Sequence, residues 1–350
     1  MTNNPTRSRP PPLDASSDIA IALAQKLVGQ PVAIAAVVPY VLMYRAMLAP
    51  EGRPAGVFLL LGPTGTGKTK TVEALAEVLH GSSQKVLKVD CGEFQMEHEI
   101  AKLIGAPPGY LGHRETQPML TQQKVNGVGS ESCDLSLLLF DEIEKAAPSL
   151  TRLLLGILDK ATLRLGDNTV VNFEKTLIFL TSNLGSRGMS KELRPDFGFE
   201  SFVPRPISDK VPKLESIAMT AARKNFTPEF INRIDAVVTY QPLSPDAMTA
   251  ILDQQVQELQ ERLNKRLGLS TFQIEVPPRT RRFLLERGTS DEYGARELKR
   301  TLQRHLIQPL ACLLAAGDIS PGAHIRAELN SRKDRLTMRD IDVEVLVPAC

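Results

Sequence analysis

Five short strand-like runs punctuate the first two thirds of the chain, with segments of helical or loop character between them. Val57 to Leu61, Lys85 to Asp90, Leu135 to Phe140, Thr176 to Thr181 and Val237 to Gln241 each read as a strand. Leu135 to Phe140 is almost wholly apolar, as a strand covered on both faces must be. After the first run, Val72, Leu75, Ala76 and Leu79 recur at helical spacing. Strands alternating with helices predict an α/β fold built on a parallel, five-stranded sheet.

The flanks read differently. Met1 to Ser17 is polar and proline-rich, which predicts a disordered tail. Asp18 to Leu27 has helical spacing, and Gly29-Gln30-Pro31 ends that helix and starts another, with Pro39 expected to kink it. Its uncharged stretch from Pro31 to Tyr44 falls short of the ~20 residues that span a bilayer, so a buried helix is expected. Past Tyr240, Ser244-Pro245 caps a long amphipathic helix carrying Met248, Ile251, Leu252, Val256, Leu259 and Leu263 and ending near Gly268. Phe272 to Val276 and His324 to Leu329 alternate as strands of a small sheet, and Ile341 to Val347 adds a further strand. The expected domains are a tail over 1–17, a large domain over 18–242 and a smaller, mainly helical domain with a short sheet over 243–350.

Composition narrows the partners. Across 350 residues, 42 basic and 40 acidic side chains leave a net charge of +2, so no global basic field predicts a nucleic-acid or membrane partner. Cys91, Cys133, Cys312 and Cys350 are scattered without a C-x-x-C pair, which suits reduced thiols in a cytoplasm. The first residues show no signal-peptide pattern.

The chemistry centres on Gly62-Pro63-Thr64-Gly65-Thr66-Gly67-Lys68-Thr69, between the first strand and its helix. The spacing G-x-x-x-x-G-K-[ST] lets backbone N–H groups and the positive end of a helix surround a phosphate chain. ATP and Mg²⁺ are the expected ligands, with Lys68 reaching the β- and γ-phosphates and Thr69 the metal. The third strand delivers Asp141 and Glu142 to the edge where ligands collect in an open α/β sheet. Asp141 is expected to hold Mg²⁺, and Glu142 to activate the water that attacks the γ-phosphate. The fourth strand ends in Thr181-Ser182-Asn183, placing the neutral amide of Asn183 where it orients that water.

These residues resemble the Clp family of AAA+ unfoldases, specifically the second ATPase module of the ClpB, ClpC and ClpA members, over about Leu27 to Leu329. Leu103-Ile104-Gly105-Ala106-Pro107-Pro108-Gly109-Tyr110-Leu111-Gly112 is similar to the family's central-pore loop. Pro228 to Asp235 is similar to its arginine-finger segment, and Tyr293-Gly294-Ala295-Arg296 to its sensor-2 motif. The resemblance implies an AAA+ P-loop NTPase in which Asn183 is sensor 1. It makes Arg233 a finger offered to a neighbouring subunit and brings Arg296 to the γ-phosphate. It also implies that Val28 and Gly29 pack on adenine and that Tyr110 and Leu111 grip polypeptide. It implies a homo-oligomeric, hexameric ring acting on unfolded or misfolded protein, with an adaptor as a further partner. Only the short tail precedes the match, so a stand-alone module is expected. Thr121 to Asp134 is longer than its counterpart, and Lys160 to Asn172 lacks the glycine-rich pattern of a second pore loop. Phe197-Gly198-Phe199 falls where ClpA and ClpC dock on a peptidase, but three residues favour an ordinary apolar loop over docking.

The leading reading is an ATP-driven protein unfoldase. The alternative is a nucleotide-switched scaffold that changes partners without threading; Glu142, Asn183, Arg233 and Arg296 favour turnover, and Tyr110 favours threading. A GTPase is disfavoured because Asn264-Lys265-Arg266-Leu267 lacks the Asp of a guanine-reading motif, and a DNA motor because no basic, aromatic stripe is present.

Overall fold

The computed structural model describes residues 18–106, 117–193, 207–289, 294–332, 335–341 and 346–347. Two helices, α1 (Asp18–Lys26) and α2 (Pro31–Arg45), lead into β1 (Gly56–Leu61), α3 (Lys68–His80), β2 (Leu87–Asp90), α4 (Ile100–Ile104), α5 (Gln122–Gly127) and β3 (Ser136–Asp141). There follow α6 (Pro148–Lys160), β4 (Thr162–Arg164), β5 (Val170–Asn172), β6 (Thr176–Ser182), α7 (Ser186–Leu193), α8 (Ile207–Asn225), α9 (Pro228–Asn232) and β7 (Ala236–Thr239). The remainder comprises α10 (Pro245–Leu267), β8 (Gln273–Glu275), α11 (Pro278–Gly288), α12 (Ala295–Leu302), α13 (Gln308–Ala316), β9 (His324–Leu329), β10 (Leu336–Asp340) and β11 (Leu346–Val347).

The apolar runs build one parallel sheet in the order β2-β3-β6-β1-β7. Alternation divides each run between two cores. Val57, Leu59 and Leu61 of β1 join Leu138, Phe140, Ile178 and Leu180 on one face, closed by Leu154, Leu158, Leu214 and Phe230 of α6, α8 and α9. Phe58 and Leu60 join Leu137, Leu139, Leu177 and Phe179 on the other, closed by Leu23, Val37, Val41 and Leu75 of α1, α2 and α3. Phe58 stacks on Phe179 at 5.0 Å between ring centroids, a contact worth ~0.5–1.5 kcal/mol beyond the area it buries. Helices on both faces are what a parallel sheet needs, because each crossover returns over one face. Buried Ala33, Ala36, Val37, Val38 and Val41 show α2 to be a core helix. Among the described residues no helix is long and apolar enough to cross a membrane.

Two compact units emerge, one running to Gln241 and one beginning at Pro242, the latter also taking in Thr64–Thr66. The second unit has its own core, with Leu252, Leu284, Leu298, Leu306, Ile325 and Met338. Its sheet runs β11-β10-β9-β8, parallel between β8 and β9 and antiparallel elsewhere. The Ser244 hydroxyl accepts the Ala247 N–H at 3.1 Å and so caps α10.

Several elements differ from expectation. Lys85 and Val86 precede β2, because their N–H groups bond locally to the carbonyls of Ser82 and Gln84. The β4–β5 hairpin and β10 carried no expectation. The strand expected over Ile341 to Val347 is described only at Leu346–Val347, where β11 pairs with β10. The tail, Tyr110, Leu111, Phe197-Gly198-Phe199 and Tyr293 lie outside the described residues.

The end of β7 seats the glycine loop. The Tyr240 N–H donates to the Leu61 carbonyl at 2.7 Å, and a Cβ on Gly62 would come within 2.7 Å of the Tyr240 carbonyl oxygen. Tyr240 is fully buried, and its hydroxyl shares a 2.6 Å hydrogen bond with the Thr71 hydroxyl of α3. Burial pushes its phenol above the usual tyrosine range. Tyr240→Phe is expected to lower stability by about 1 kcal/mol, the worth of one buried hydrogen bond. Urea denaturation checks this, and an unchanged midpoint would contradict the packing described.

Candidate functional site

Register brings the carboxyl ends of the strands level. Leu61 pairs with Ser182, Phe140 with Leu180, and Asp90 with Asp141. The side chains that follow each strand therefore meet at one edge.

From β1 the chain turns through Gly62 (φ 147°), Gly65 (φ 77°) and Gly67 (φ 105°), backbone conformations that side chains resist. Gly67 stands at the N-terminus of α3 and offers no side-chain cap, and the first turn of α3 carries no acidic residue. Its N–H groups and positive dipole end thus face the loop without an anionic side chain from that turn. Lys68 is only 8% exposed. Its ammonium donates to the carbonyls of Gly62 at 2.7 Å and Pro63 at 2.9 Å and to Asn183 Oδ1 at 2.9 Å.

Beyond β3, Glu142 adopts a left-handed conformation (φ 57°, ψ 49°), uncommon for a side-chain-bearing residue. The Thr181 hydroxyl holds this turn twice, accepting the Glu142 N–H at 3.0 Å and donating to Asp141 Oδ1. Asp141 Oδ2 pairs with Lys88 at 3.2 Å. Glu142 Oε1 accepts from Asn183 Nδ2 at 3.1 Å, and Oε2 pairs with Lys145 at 2.5 Å. The hydrogen bond it donates to the Glu142 carboxylate raises the Lys145 ammonium above the usual lysine range. Glu144 Oε1 accepts the Asn183 N–H at 2.9 Å. Cys91 follows β2, and burial, with the nearby carboxylates beginning with Asp141, pushes its thiol far up. It is an inert, buried thiol.

Lys68, Asn183 and Glu142 therefore form one hydrogen-bonded chain, and Asp141 joins it through Thr181. Thr64, Gly65, Thr66 and Thr69 lie in the loop and the first turn of α3. Val28 and Gly29 (φ 78°) form the turn between α1 and α2, where Gln30 Nε2 donates to the Gln241 carbonyl at 2.9 Å. Arg233 follows α9 and pairs with Asp159 of α6 at 3.2 Å, each about 40% exposed. Arg296 is an exposed residue in the first turn of α12, in the second unit. Thr181, Glu144, Lys145 and Lys88 carried no expected role. For Thr181 the signal was its place two residues before Asn183, and for Glu144 the D-E-x-E spacing.

The chain can now be set beside known proteins. The family described as an AAA domain (Cdc48 subfamily) matches residues 53–237, and that of the C-terminal, D2-small domain of ClpB protein matches residues 243–327. The chaperone protein ClpB of Meiothermus ruber is 36% identical over 303 residues, covering 87% of this chain and 33% of that protein. ClpB of Rhodopseudomonas palustris is 37% identical over 306 residues, covering 87% and 32%. The chain thus spans about a third of the length of the curated relatives it matches. Among solved structures, a complex of Hsp104 from S. cerevisiae with casein in an extended conformation superposes with a TM-score of 0.77 at 27% identity, covering 92% of this chain and 52% of that one. The S. cerevisiae Hsp104-ADP complex gives 0.74 at 27% identity, covering 91% and 51%. The fold is accordingly that of an AAA+ P-loop NTPase, with a smaller helical part and its short sheet.

Thr181→Val conserves shape but strips Asp141 Oδ1 and the Glu142 N–H of a shared partner. It is expected to cost ~1–3 kcal/mol in urea denaturation, the penalty for partly buried groups left unpaired. A midpoint equal to wild type would show that the hydroxyl does not hold the turn.

Proposed function

Because the chain belongs to the AAA family, matched by its Cdc48-subfamily AAA domain over residues 53–237, we propose that it binds and hydrolyses ATP to remodel protein substrates. The observation that carries this reading is the Asn183 amide, bonded at once to the buried lysine of the glycine loop and to the glutamate after β3.

The donor set fits the nucleotide and its metal. Thr69 and Asp141 offer the oxygen ligands that Mg²⁺ takes, and Asp141 is held in place by Thr181 and Lys88. Bound Mg²⁺ would neutralise charge on the phosphates. Lys68 is directed at the β- and γ-phosphates, with Gly62, Pro63, Thr64, Gly65, Thr66 and Gly67 supplying the loop around them. Glu142 accepts the proton of the attacking water; each of its oxygens keeps a lone pair after one hydrogen bond. Asn183 fixes Glu142 Oε1 without bringing a second negative charge to the γ-phosphate. Val28 and Gly29 pack on adenine. Arg296 senses the γ-phosphate from the smaller domain, 243–350, which follows the large domain, 18–242.

Arg233 serves a neighbouring copy in a hexameric ring. In the free chain its pair with Asp159 is half exposed, so exchange for an anionic partner costs little, ~0–1 kcal/mol. The substrates are unfolded or misfolded polypeptides gripped by Tyr110 and Leu111, with an adaptor as a further partner and the cytoplasm as the place of action. Support comes from relatives named ClpB chaperones and from a structural neighbour solved with casein.

Tyr110 separates threading from switching. Tyr110→Ala is expected to keep nucleotide binding, assembly and most basal ATP hydrolysis while abolishing unfolding of a tagged model protein, and Tyr110→Phe to retain much of it. A fluorescence unfolding assay beside phosphate release checks both. Unfolding that survives Tyr110→Ala would favour the nucleotide-switched scaffold.

A further inference from the structure

Glu144 belongs to the short turn Ile143–Lys145 that follows Glu142. Its Oε1 accepts the Asn183 N–H at 2.9 Å, whereas its Oε2 is buried and has no hydrogen-bond partner among the described residues. A buried carboxylate oxygen without a donor is costly, and an apolar side chain of the same length would avoid the penalty. Space filling therefore does not account for an acid here.

What the acid does is set by what it holds. Asn183 is the first residue beyond β6, where sheet hydrogen bonds no longer fix the backbone. The Ser182 hydroxyl accepts the Leu184 N–H at 3.1 Å, and the Ser186 N–H donates to the Asn183 carbonyl at 3.2 Å. The N–H of Asn183 itself goes to Glu144. A charge-assisted bond at that atom fixes the Cα from which the amide reaches Lys68 in one direction and Glu142 in the other.

We infer that Glu144 is a positioning residue for hydrolysis, clamping the backbone of Asn183 so that its amide stays between Lys68 and Glu142. The inference rests on the ATPase reading above. Glu144 touches no reacting atom and acts only through Asn183.

The test uses the full chain and measures three quantities: kcat for phosphate release, Kd for a fluorescent ATP analogue, and the thermal midpoint. Glu144→Met keeps the volume and removes the acceptor. It is expected to lower kcat roughly tenfold, the worth of one hydrogen bond to a charged group. Its Kd should stay within about threefold of wild type, because binding groups are untouched, and its thermal midpoint should not fall in step with kcat. Glu144→Gln retains an acceptor oxygen and should recover most of the rate. Once Asn183→Ala has removed the amide, adding Glu144→Met should cost little more, since the two act as a unit.

Additive losses in the double variant, a Gln variant as slow as the Met variant, or a Glu144→Met chain that does not fold would each overturn the role. If wild type hydrolyses no ATP, the activity itself falls and the role with it. If wild type hydrolyses ATP and Glu144→Met matches it, only the positioning role falls.

Discussion

A single amide joins the two halves of the site. Asn183 accepts from an ammonium that is almost wholly buried and donates to a carboxylate across the strand edge. A second carboxylate in its place would neutralise the lysine that the phosphates need, and an apolar residue would leave a buried ammonium short of an acceptor. A side chain with both a donor and an acceptor, and no charge, meets both demands.

That bridge exists only because the sheet delivers its ends in register. Five parallel strands with level carboxyl ends place the glycine loop, the acidic turn and Asn183 within reach of one another. Two further constraints keep them there. The close approach of Tyr240 to Gly62 sets where the loop leaves β1, and the Thr181 hydroxyl supports an otherwise unfavourable left-handed turn at Glu142.

The parts legible in the sequence are those with local, repeated signals. The β1-loop-α3 unit is announced by an apolar run, a glycine pattern and helical spacing in succession, and β1, β3 and β6 by runs that burial on both faces makes apolar. The β4–β5 hairpin is built of three-residue strands in which one residue each, Leu163 and Val171, is buried, too few for alternation to register. Leu336 and Met338 of β10 do alternate, but the segment is short and rich in charge. Contacts between distant elements were the least legible. Nothing local shows that Glu144 reaches the backbone of Asn183 or that Arg233 meets Asp159, because each depends on how separate elements pack.

The account stands on a division of labour between the loop lysine, which binds, and the glutamate after β3, which activates water. The most direct measurement follows nucleotide binding and Mg²⁺-dependent phosphate release side by side in wild type, Lys68→Ala and Glu142→Gln. The account predicts that Lys68→Ala loses binding, whereas Glu142→Gln binds as wild type does and turns over ~10²-fold or more slowly, as loss of a general base implies. A Glu142→Gln chain that releases phosphate at the wild-type rate would contradict it.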